Sequence, residues 1–102
     1  MVSQEDKQLC DYELVVIINP EGDEAIDNVI GRFSRFITEN GGVVSNVDRW
    51  GKRKLAYPIK HFIEGNYVLA RFKLKPKLSQ ELEASLNISE EVLRHLLTRS
   101  SS

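Results

Sequence analysis

Between Trp50 and Phe62 the chain reads WGKRKLAYPIKHF, and two kinds of side chain concentrate there. Lys52, Arg53 and Lys54 are consecutive cations, and Trp50, Tyr57 and Phe62 are flat rings set among them. Cations neutralise phosphates and release their counterions, while rings stack on bases or riboses, so this mixture suits an RNA-contacting surface. A second reading needs no ligand. Charged side chains and a proline keep an exposed strand edge from pairing with other chains, and Pro58 sits inside LAYPI, which has the composition of a strand. On these residues alone both readings stay open.

Other chemistry finds little support. His61 and His95 have no cysteine or carboxylate around them at metal-ligand spacing. Cys10 is the chain's single cysteine and lacks a C-x-x-C partner, so it reads as a small, partly buried apolar residue placed before the first strand. Gly41 and Gly42 stop a helix and no helix follows them, which argues against a phosphate loop. No catalytic residue, metal, cofactor or small-molecule substrate is expected.

The 102 residues suffice for one domain, and 41% hydrophobic with 28% charged residues is the balance of a folded, soluble chain. The longest apolar run, Leu14 to Ile18, is too short to span a bilayer, so no membrane partner is expected. The start, MVSQEDKQLC, has the composition of neither a secretory signal nor a transit peptide, and the lone cysteine fits a reducing cytosol. The net charge of −1 hides an asymmetry: residues 1–48 carry ten acids and three bases, residues 49–102 eleven bases and five acids. Nine of those bases fall in 49–77, against Glu64 alone, which suggests an anionic partner on one side.

The elements that must position these residues follow from period and punctuation. YELVVIIN, Tyr12 to Asn19, is apolar on both faces and predicts a central strand, stopped by Pro20. Ile26, Val29, Ile30, Phe33 and Ile37 then fall on one helical stripe, with Asp23 as N-cap and Gly41 as the left-handed stop. VVSNVDRW returns to strand composition, Gly51 marks a bulge or bend, and KLAYPI resumes the strand. KHFIEG reads as a loop, and NYVLARFKL as a strand with Val68, Ala70, Phe72 and Leu74 on one face and Tyr67, Leu69, Arg71 and Lys73 on the other. After Pro76 a short helix carries Leu78, Leu82 and Leu86 in register, and EVLRHLLTR closes as a strand, although its length would also allow a helix. The order βαββαβ is the split βαβ, ferredoxin-like α+β fold: a four-stranded antiparallel sheet, spatial order 4-1-3-2, with two helices on one face. The second strand is then an edge, where Pro58 can turn its N-substituted side to solvent. The RNA-recognition motif shares this topology, but its glycine–aromatic alternation is missing from EGNYVLARF, so RNA contact is expected through the edge hairpin.

GKRKLAYPIK, Gly51 to Lys60, resembles the diagnostic stretch of the bacterial small-subunit ribosomal protein six family. YELVVIINP, the GG after the first helix, VDRWG, GNYVLARF and EEVLRHLLTR agree with it, so the resemblance covers about Asp11 to Arg99. It implies a structural, non-enzymatic protein of the small subunit. Such a protein is cytoplasmic and ribosome-associated, and binds the central domain of small-subunit ribosomal RNA as a heterodimer with small-subunit protein eighteen. The motif positions here are Gly51, Lys52, Arg53, Leu55, Ala56, Tyr57, Pro58 and Ile59, while Arg94 and Arg99 resemble basic positions of the family. The candidate RNA contacts are Lys52, Arg53, Lys54, Arg71, Arg94 and Arg99. Residues 11–99 are expected to form the domain, 1–10 a flexible extension and 100–102 a short tail. The extension is acidic where the family's start is often basic, so no RNA contact is expected of it. A rival from another class is a ferredoxin-like regulatory domain that binds a small metabolite in a pocket and dimerises through its sheet.

Overall fold

Alternate side chains of β1 (Cys10–Ile18) decide the layering. Tyr12, Leu14, Val16 and Ile18 are buried on one face, while Asp11, Glu13, Val15 and Ile17 are half-buried on the other. The computed structural model describes residues 9–21 and 23–99. The expected tail and all but the last two residues of the expected extension therefore lie outside the described residues. Cys10 does not precede the first strand: it opens β1, opposite Leu74.

α1 (Asp23–Glu39) lays Ile26, Val29, Phe33 and Ile37 on β1's buried face, with Ile30 partly covered. Gly41 ends it in the left-handed region at φ 83°, and the Gly42 amide donates to the Ile37 carbonyl at 2.8 Å. The cap expected of Asp23 concerns a side chain outside those described. β2 (Val43–Ile59) and β3 (Phe62–Leu74) form a long hairpin. A single 3₁₀ turn at Pro76–Leu78 leads into α2 (Ser79–Asn87), which buries Leu82 and Leu86, and β4 (Val92–Arg99) follows. The last segment is a strand because β1 offers it a free edge, with Tyr12 opposite Arg99 and Ile18 opposite Val92.

The sheet order is β2-β3-β1-β4, antiparallel throughout, and both helices contribute to one core with Val68, Ala70, Phe72 and Leu74 of β3. This is the expected ferredoxin-like arrangement. A second local expectation fails. KHFIEG is not a loop: only Lys60 and His61 turn, at φ 49° and 72°, and Phe62 to Gly65 belong to β3. Two successive left-handed residues are the signature of a type I′ hairpin turn, which usually announces itself with asparagine or glycine. Here the ladder around Arg53–Gly65, Lys54–Glu64 and Ile59–Phe62 holds the turn instead.

Phe33 is among the largest fully buried side chains. Phe33→Ala is expected to cost about 3–5 kcal/mol. Denaturant or thermal unfolding checks this, and a wild-type midpoint would mean that α1 does not rest on Phe33.

Candidate nucleic-acid interface

The hairpin outruns its sheet. β1 ends at Ile18, opposite Asn66, so Phe62 to Gly65 of β3 have no β1 neighbour and pair only with β2. This two-stranded arm accounts for the elongated shape, 50 × 24 × 22 Å. Three register shifts interrupt its outer strand: one at Ser45, far from the arm, and two that shape the arm and its base. The register runs from Arg49–Val68 to Gly51–Tyr67, leaving Trp50 as the extra residue of a bulge, with Gly51 at φ 88°. A second, wider one leaves Leu55 to Pro58 without register partners between Lys54–Glu64 and Ile59–Phe62. Pro58 therefore sits where no ladder N–H is required, on a strand that is also an edge.

A bare hairpin is marginally stable in water, and this one is fastened to the start of β4. Leu55 and Leu93 are buried outside the main core. Arg94 Nη1 donates to the Tyr57 hydroxyl, and Lys60 Nζ reaches the Val92 carbonyl at 3.5 Å. Gly65 permits a close approach to β1 at the arm's base: a Cβ there would stand 2.4 Å from Ile17 Cγ2, whereas Leu93 Cδ1, at 3.6 Å, would be in ordinary contact.

The six candidate cations do not gather in one place. Lys52, Arg53 and Lys54 are exposed on the arm, and among the described residues no carboxylate comes within ion-pair distance of them. Arg94 joins them at the arm's foot through Tyr57. Arg71 lies on the open sheet face, where its Nε donates to Glu13 Oε2 at 2.9 Å. Arg99 stands at the far end of β4 and donates to Cys10 Sγ at 2.9 Å. Arg49, next to the arm, is held to Asp27 of α1 at 2.6 Å. Of the motif residues, Gly51 makes the bulge, Leu55 is buried, Ala56, Tyr57 and Pro58 are exposed, and Ile59 closes the ladder. Sequence reasoning missed the Tyr57–Arg94 link, since 37 residues separate its partners.

The sheet face opposite the helices is uncovered. Register places Leu96, Val15 and Leu69 in one row across three strands, with Ile17 and Tyr67 beside them. Leu96 is 60% exposed, so this apolar strip is available to another surface. A depression of about 520 Å³ runs along α1, but its lining comes from that one helix and nothing closes over it. Among the described residues, no three histidine, cysteine or acidic side chains are grouped to hold a metal, and no helix is long and apolar enough to cross a membrane.

The fold and surfaces define a ferredoxin-like α+β domain with a cationic arm and an open apolar face. A family model described as ribosomal protein S6 matches residues 11–99, and the chain belongs to that family. The small ribosomal subunit protein bS6 of Moorella thermoacetica is 46% identical over 89 residues, covering 86% of this chain and 91% of its own. The crystal structure of 30S ribosomal protein S6 from Thermotoga maritima superposes with a TM-score of 0.83 at 34% identity, covering 91% of this chain and 89% of that one. The C-terminal domain of MgtC from Mycobacterium tuberculosis, at 14% identity and a TM-score of 0.60, shares the fold alone. Family membership makes this chain a structural, non-enzymatic component of the small ribosomal subunit, in the cytoplasm.

Gly65→Ala tests the fastening. The added methyl would meet the Cγ2 of Ile17 on β1, a branch held close to the backbone, so the base of the arm should shift away from Ile17 at a cost of about 1–3 kcal/mol. Hydrogen exchange should rise in 53–65 and stay low in β1. Unchanged protection of the arm would mean that it does not depend on close approach at Gly65.

Proposed function

We propose that the chain binds the central domain of small-subunit ribosomal RNA together with small-subunit protein eighteen. The observation that carries this reading is the fastened arm with Lys52, Arg53 and Lys54 unpaired by any described carboxylate. The arm and Arg94 meet phosphates at one end of the molecule. Arg71 adds a phosphate contact only by leaving Glu13, and an exposed pair of that kind is worth about 0–1 kcal/mol, little enough for a phosphate to displace. The apolar strip of Val15, Leu69 and Leu96 takes the protein partner, whose burial of it supplies the non-directional part of the affinity. The acidic first half favours a basic partner and speeds encounter. Affinity then depends on two surfaces at once, so RNA and partner each strengthen the other's hold.

A salt titration of the assembled RNA complex tests the arm. Each phosphate neutralised contributes roughly 0.7–0.9 to the slope of log affinity against log salt. Replacing Lys52, Arg53 and Lys54 together by alanine should flatten that slope by about two, with folding intact. An unchanged slope and affinity would leave the cations as edge protection and move the RNA contact to Arg71, Arg94 and Arg99.

The partner has its own test. This chain and protein eighteen should co-migrate at low salt without RNA, and Leu96→Asp should abolish co-migration while leaving the chain folded. Chains that stay apart at micromolar concentration, yet both enter the RNA complex, would show pairing to be RNA-dependent.

A further inference from the structure

Trp50 and Arg53 stand three residues apart on one strand, yet the Arg53 guanidinium carbon lies over the indole, 5.2 Å from its ring centroid. In a regular strand, residues i and i+3 point to opposite faces. The bulge changes that parity. Trp50 is the inserted residue, Gly51 takes the left-handed conformation that allows the insertion, and Arg53 comes round to the same side as the ring. Gly51 has open space around its missing side chain, so what requires glycine there is its φ of 88° and not crowding.

The product is a flat platform outside the core. Trp50 is 43% exposed, and no buried cluster includes it. We propose that Trp50 and Arg53 form a stacking site for one unpaired nucleobase of the bound RNA. The proposal rests on the RNA-binding reading above and names the ligand of one part of that surface. Aromatic rings and guanidinium planes are the two surfaces on which proteins stack splayed-out bases, and here the guanidinium already lies over the ring. Lys52 and Lys54, on either side of Arg53, remain for the flanking phosphates.

A protein is the poorer fit at this spot. Docking one over Trp50 would desolvate a run of cations that has no carboxylate partner among the described residues. Lysine is also depleted from the cores of protein interfaces. The molecule offers a protein a separate apolar surface around Val15, Leu69 and Leu96.

Trp50 is the only tryptophan of the chain, so its own fluorescence is the probe. The experiment adds protein eighteen and then a central-domain fragment of ribosomal RNA, with Trp50→Phe under the same conditions as the emission background. Base stacking predicts that Trp50 emission is quenched, and shielded from acrylamide, only when RNA is added. Trp50→Ala should lower RNA affinity about 5- to 150-fold with the salt slope unchanged, and Trp50→Phe should recover most of that loss. Arg53→Lys, which keeps the charge and removes the plane, should weaken binding at an unchanged slope. If Trp50→Ala misfolds, the wild-type quenching and the Trp50→Phe affinity still decide. Unaltered emission on RNA addition, with Trp50→Ala binding as wild type, overturns the stacking site and leaves the RNA-binding reading standing. Shielding complete on adding protein eighteen alone would place Trp50 in the protein interface and overturn it too. A wild-type complex with no affinity for the RNA would remove both.

Discussion

Beyond Ile18 the hairpin has no β1 to pair with and no helix to cover it, and everything at the functional end depends on how that arm is held. The solution is a small second contact on the sheet's outer side. Gly65 lets the arm's base lie close on Ile17, Leu55 of the arm is buried, and Tyr57 accepts a hydrogen bond from Arg94. These contacts tie β2, an edge strand, to β4, the opposite edge, across the end of the sheet. An arm held in this way keeps its side chains in place before any ligand arrives, which lowers the ordering cost of binding.

Held still, the chain sorts its surfaces by chemistry. The helix face is spent on the core, where Tyr12 and Phe72 stack 5.6 Å apart under α1 and α2. The opposite face keeps an apolar strip. The arm keeps cations, and the structure distinguishes them from bases elsewhere: Arg49 and Arg71, outside the arm, already hold Asp27 and Glu13, whereas Lys52 and Lys54 hold no described carboxylate. A charge count along the sequence treats these bases as equal. Their partners divide them into bases already paired with a carboxylate and bases that remain for an anion.

The fold was legible because its signals are local and redundant. Double-sided apolarity marked β1 as central, a five-residue stripe marked the buried face of α1, and period-two alternation in NYVLARFKL set β3 facing correctly. The hairpin turn was not legible, because Lys60 and His61 adopt left-handed angles that neither residue type prefers and that only the ladder imposes. The bulge at Gly51 could be read from the glycine, but its consequence could not: that Arg53 covers Trp50 follows from a change of parity, which depends on where the register slips. The candidate site was half legible. KRK announces itself, whereas the link of Arg94 to Tyr57 across the sheet, and the capture of Arg71 by Glu13, are products of register.

The most direct measurement is ultraviolet crosslinking of the assembled RNA complex, with the crosslinked peptides identified by mass spectrometry. An arm that carries the RNA contact should give crosslinks within Trp50 to Lys60 and at the start of β4 around Arg94. Crosslinks confined to α1 or α2, with the arm peptides unmodified, would contradict an RNA-facing arm.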